Sequence, residues 1–73
     1  MFDKNRFRAQ LVLRNVTHKR LAEVLGIDES TLYRKINNNG AFTRDEINQM
    51  IEYLMIDDPA SIFFATELAE TQV

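Results

Sequence analysis

The chain has 73 residues with no cysteine and a formal net charge of −2, enough for one small domain spanning 1–73 and too few for two. Without cysteine there is no disulfide staple, no thiolate metal site and no redox chemistry; the core must come from well-packed helices, and a reducing compartment fits. No apolar run approaches the roughly 20 residues that cross a bilayer, and the opening Met-Phe-Asp-Lys-Asn-Arg, broken by charge, does not read as a secretory signal.

The residues divide into five expected helices with short connections and no strand pattern, an all-α fold. The first runs from about Asp3 to Arg14. Asp3 is placed to cap it, Phe7 and Leu11 stand four apart with Ala9 and Leu13 nearby to make an apolar face, and Asn15 ends it. The second begins at Thr17, whose hydroxyl can accept from a first-turn N–H; Leu21, Ala22, Val24 and Leu25 supply its apolar side. Gly26 falls where a left-handed residue closes the helix, since without a Cβ it meets no steric penalty there. Asp28 is expected to cap the third helix, which reaches Ile36 or Asn37. The run Asn37-Asn38-Asn39-Gly40 favours left-handed turns and reads as a loop.

The fourth helix has the strongest start signal. Thr43 and Glu46 form a capping box, and Phe42 faces Ile47 as a hydrophobic staple. Ile47, Met50, Ile51 and Leu54 then recur at helical spacing to make one buried stripe, with Met50 and Met55 read as core filler. A short fifth helix starts at Asp58-Pro59 and carries Ile62, Phe63 and Phe64 before a polar end, Glu67 to Val73, expected to fray. Three consecutive apolar residues cannot all face one small core. Either two are buried and one is exposed, or this C-terminal segment, 58–73, offers a dimer surface.

Charge is unevenly placed. All nine basic residues lie between Lys4 and Arg44 against four acids, a balance of +5, whereas Asp45 to Val73 holds seven acids and no Lys or Arg. One part of the molecule is thereby suited to a polyanion and the other is not.

The segment from His18 to Asn37 has the logic of a helix-turn-helix. Ala22 gives the small residue needed where two helices cross steeply, Gly26 the positive φ of the turn, and Leu21, Leu25, Ile27, Leu32 and Ile36 fill the space beneath. The stretch Leu-Ala-Glu-Val-Leu-Gly-Ile-Asp-Glu-Ser-Thr-Leu-Tyr-Arg-Lys-Ile-Asn, residues 21–37, resembles the lambda-repressor-like helix-turn-helix family almost position by position. The likeness is greatest to short Cro-like regulators of phages of Gram-positive bacteria. It covers about Phe7 to Leu54, and the Phe-Thr-x-x-Glu-Ile opening of the fourth helix and the Ile-Phe-Phe-Ala tail also look like those proteins. Lys35 departs from the pattern, because many relatives carry an aliphatic residue there; Ile36 is expected to hold the helix instead.

Projecting the third helix at about 100° per residue, with Leu32 at about 0° and Ile36 at about 40°, puts Arg34 outward at about 200° with Ser30 and Asn37 near it. Thr31 and Tyr33 lie on the flanks. The resemblance implies that this face enters the major groove of double-stranded operator DNA. Carried over by position, Glu29, Ser30, Tyr33 and Arg34 face the bases. Arg34 suits the O6 and N7 of guanine, and Glu29 can accept from a cytosine amino group. Tyr33 either reaches a base or packs along the helix surface. His18, Lys19 and Asn37 would hold phosphates and set register.

The resemblance implies a cytoplasmic regulator in a bacterial host, acting as a homodimer on half-sites about 34 Å apart, in a phage lysis–lysogeny switch. A second role stays open: an antirepressor that docks on a phage repressor protein. Asp28 and Glu29 put negative charge where phosphates would approach, although capping alone accounts for Asp28. No enzyme or cofactor is expected. His18 has no second histidine or any cysteine to complete a metal site, Ser30 and Thr31 have no histidine placed for a catalytic relay, and no glycine-rich phosphate loop is present.

Overall fold

Three of the five helices begin at a side chain that takes up their first unpaired N–H groups. In the computed structural model, which describes residues 2–64, Asp3 accepts from the Arg6 N–H at 3.0 Å and opens α1 (Lys4–Leu13). Thr17 does the same for the Arg20 N–H at 3.0 Å and opens α2 (His18–Leu25). At the start of α4 (Arg44–Leu54) the expected capping box is complete: Thr43 accepts from the Glu46 N–H at 3.1 Å, and Glu46 accepts from the Thr43 N–H at 2.9 Å.

The other two helices start differently. Asp28 holds the N-cap position of α3 (Glu29–Asn37), but its side chain makes no capping bond. The expectation that this carboxylate caps the helix is therefore corrected. Asp28 contributes its backbone carbonyl, which accepts from the Leu32 N–H at 3.0 Å, while the exposed side chain is left to water. At α5 (Pro59–Phe63) the proline stands in the first turn as expected, and the Asp58 carbonyl accepts from both the N–H and the hydroxyl of Ser61.

Every regular element among the described residues is a helix. Phe7, Leu21, Leu32, Ile36, Met50 and Leu54 are fully buried and form the centre. α2 packs on both α3 and α4, and α1 packs on α5. Gly26 closes α2 at φ 70°, the left-handed geometry its position required. Burial of six such side chains stabilises the fold by about 1.5–3 kcal/mol each.

Phe2, a residue outside the expected helices, completes the core. Its ring lies 5.2 Å from that of Phe7, 6.0 Å from Phe42 and 5.9 Å from Phe63. The Asp3 N–H donates to the Ile62 carbonyl at 2.6 Å, which ties the start of α1 to α5. Gly40 makes room for this aromatic cluster: its φ is 69°, and a Cβ there would stand 2.3 Å from Cγ of Phe2.

Three apolar residues point elsewhere than expected. Leu13 lies about 200° around the helix from Leu11, so it faces water at 65% exposure with Ala9 also exposed. Met55 is not core filler: it sits in the left-handed region just past α4 (φ 52°) and is 64% exposed. Arg14 closes that helix end, with Nε donating to the Leu54 carbonyl at 2.7 Å and Nη2 to that of Met55 at 3.0 Å. In α5, Ile62 and Phe63 are buried and Phe64 is half-exposed, the two-in, one-out arrangement. The expected fraying of Glu67–Val73 lies outside the described residues.

Candidate interface on the third helix

α3 is seated by Leu32 and Ile36, both essentially inaccessible to water, so Ile36 does hold the helix. That seat turns Glu29, Ser30, Tyr33, Arg34 and Asn37 outward as exposed residues and leaves Thr31 half-buried on the flank. Lys19 is exposed on α2, and His18, the first residue of that helix, is half-buried beside α3. The eight residues singled out in the sequence thus lie on or next to one surface.

Their engagements differ. Tyr33 and His18 stack with ring centroids 4.7 Å apart and planes 14° from parallel, an offset pair at that separation. The stack ties the first turn of α2 to the middle of α3 and holds the tyrosine along the edge of the face. His18 thereby has a partner within the protein, which its expected role at a phosphate did not include. Asn37 Oδ1 accepts from Lys4 Nζ at 3.1 Å, joining the end of α3 to the start of α1. Arg34, Lys19, Glu29 and Asp28 make no side-chain hydrogen bond or ion pair among the described residues.

Lys35, next in sequence to Arg34, has the opposite fate. Its Nζ lies 2.8 Å from Glu46 Oε1, with the side chains only 19% and 12% exposed. This flank of the buried stripe carries a cation on a packed stem, its charge answered by the α4 capping carboxylate. Burial by itself would push the Glu46 carboxyl up. The Lys35 ammonium and the Thr43 N–H outweigh that and hold it below the ordinary carboxylate value.

The remaining cations separate in the same way. Arg14 is committed to the end of α4, while Arg6 pairs with Asp3 and Arg20 with Glu23, each at 3.4 Å on the surface. Arg20 also donates to the Tyr53 hydroxyl, which with Glu23 raises its pKa further. Such exposed pairs exchange readily with solvent or a ligand. The tip of α3 carries the two acids Asp28 and Glu29, so the face is mixed in sign: a lone arginine at its centre, acids at its leading edge, Lys19 to one side. Among the described residues no group of three or more His, Cys, Asp or Glu is placed to hold a metal ion.

The chain matches no protein-family model, no curated protein and no solved structure. Its functional reading therefore rests on its own residues. The sequence missed the Lys35–Glu46 pair and the His18–Tyr33 stack. The signal for the first was present: a lysine on the flank of a buried stripe needs a carboxylate, and Glu46 was already fixed by its capping box.

Proposed function

We propose that the protein is a sequence-specific DNA-binding transcription regulator of the Cro or small-repressor kind. α2 and α3 would form a lambda-repressor-like helix-turn-helix. The observation that carries this reading is Arg34: it stands unpaired on the outward face of α3 while its neighbour Lys35 is used inside the fold. An exposed guanidinium with no partner among the described residues is free for bidentate recognition of guanine. Glu29, Ser30 and Thr31 precede it on the N-terminal half of the helix that enters the groove, Tyr33 lies at the edge, and Lys19, His18 and Asn37 flank it toward the phosphates. The surface cations Arg20 and Arg44 add sequence-independent attraction.

A gel shift on randomised duplex, repeated at rising salt, tests it. Retardation at low salt with a steep loss of affinity on salt addition is expected. Arg34→Ala should relax preference at one base pair and cost about 1–3 kcal/mol of binding. An unchanged site preference removes Arg34 from the readout, and no retardation at low salt overturns DNA binding.

One observation favours a second reading, an antirepressor that docks on a phage repressor protein. The Asp28 carboxylate is not used in capping, so with Glu29 it leaves two free acids at the tip of α3. Those acids suit a basic protein surface better than a phosphate. Glu29→Lys separates the two cases, because under the first it raises sequence-independent affinity for duplex at low salt, and under the second it weakens repressor binding.

A further inference from the structure

α1 is a ridge between two unlike grooves. On one side is an open cleft of about 410 Å³ lined by the apolar Leu11, Val12 and Val16 and the polar Arg8, Thr17 and His18, with no acid among its residues. On the other side a cleft of about 230 Å³ is lined by Arg6, Gln10 and Ser61 together with the acids Asp57 and Asp58. Between them the ridge is apolar at its C-terminal end, where Val12 is 80% exposed and Leu13 65%. These are the two most exposed large apolar side chains among the described residues.

We infer that this face of α1 binds a second copy of the chain, with the two α1 helices side by side and parallel about a twofold axis. The charges select the occupant. A twofold axis running along the ridge carries the acid-free flank of one copy onto the acidic flank of the other, and does so twice. Height along the helix agrees. Arg8 stands level with Arg6 and Gln10, which border the cleft holding Asp57 and Asp58; Arg6 is already paired with Asp3, so Arg8 of each copy finds a net acidic cleft on the other, with Asp57 as its partner. Val12 and Leu13 stand about one turn further along on opposite sides of the crest, so Val12 of each copy meets Leu13 of the other across the axis. Of the dimer surface expected on helix five and the tail, residues 65–73 lie outside the described residues; within 58–64, Ile62 and Phe63 are buried in the protomer and Phe64 is exposed. With so small an apolar centre the dimer is a weak one.

The dimer supplies the pairing that the DNA-binding reading calls for, but its test needs no DNA. Sedimentation equilibrium from roughly 10 μM to roughly 1 mM should show the weight-average mass rising from 8.5 kDa toward twice that value. The double variant V12K/L13K changes only exposed positions and should remain monomeric throughout, with an unchanged circular dichroism spectrum. Arg8→Glu and Asp57→Arg should each weaken dimerisation by about tenfold alone, since each then opposes like charges at both symmetry-related contacts. Mixed in equal amounts they should recover wild-type affinity, because every contact in the mixed dimer is again between opposite charges.

A wild-type chain that stays monomeric at the highest concentration overturns the inference, as does a dimer unaffected by V12K/L13K. Failure of the mixture to recover overturns the parallel twofold register. A protein that dimerises as described but retards no duplex sinks the DNA reading and leaves this interface standing; a monomer that binds duplex does the reverse.

Discussion

The starts of α3 and α4 lie fifteen residues apart, and each presents a polar side chain at the N-cap, yet the two are put to opposite use. At α4 the capping groups are engaged: Thr43 and Glu46 cap each other's N–H groups, Glu46 also holds Lys35, and Phe42 packs against Phe7 with rings 6.1 Å apart. At α3 the Asp28 side chain bonds to nothing among the described residues, and Glu29 and Arg34 are equally unengaged there. Polar groups answered inside a fold stabilise it and are lost to a ligand. Those left unanswered contribute little to stability and remain free for recognition. The contrast separates scaffold from interface within one continuous stretch of chain.

Substitutions should break or sharpen this contrast in a definite order. The largest loss is expected at the engaged end, from Gly40→Ala. The new Cβ must sit at positive φ and displace a buried ring, costing about 2–4 kcal/mol together and lowering Tm by more than about 10 °C in thermal denaturation. Glu46→Ala removes a cap and an ion pair at once and should cost about 2 kcal/mol, against about 1 kcal/mol for Thr43→Ala, both read from urea unfolding. Equal losses for the two would mean that Lys35 adds nothing.

The same site gives a pH dependence with a fixed sign. Glu46 is held below its ordinary value of 4.5, so its contribution is complete above that value and is lost as the pH falls through the lowered one. Urea midpoints measured from neutral pH into that acidic range should fall more steeply for the wild type than for Glu46→Gln. At the unengaged end, Asp28→Ala should change stability by less than about 0.5 kcal/mol, well under the usual loss of an N-cap carboxylate. A cost above about 1 kcal/mol would show that Asp28 caps α3 in solution and would erase the contrast.

Much of the scaffold could be read from the residues, because local rules decide it. The turn at Gly26, the capping box at Thr43 and the buried pair Leu32 and Ile36 each follow from a few neighbouring residues. What escaped was non-local. Phe2 precedes any periodic pattern, so nothing near it announces that it packs among three other phenylalanines. Lys35 reads as a departure until Glu46, eleven residues on, is brought beside it. Leu13 and Met55 look apolar enough to bury, and only the angle of Leu13 around its helix and the left-handed backbone at Met55 turn them out. For the candidate interface, the exposed set on α3 followed from projecting a single helix. The His18–Tyr33 stack did not, since it depends on how α2 and α3 are set against each other.

The link between residues 2–3 and 62–63 also orders events during synthesis. The stretch from His18 to Asn37 can fold on itself once it has left the ribosome, because its contacts are short in sequence. Phe2 lies 61 residues before Phe63 and cannot find its seat until Phe63 has been translated, several seconds later at about 5–20 residues per second. A contact spanning so long a loop closes after the local ones, on the late, native side of the folding barrier. Phe2→Ala should then speed unfolding while leaving the folding rate almost unchanged in stopped-flow measurements, whereas Leu32→Ala should slow folding itself. Until this link shuts, the rings of Phe7 and Phe42 lack the cover that Phe2 gives them, so the nascent chain passes through an interval with an aromatic cleft open to water.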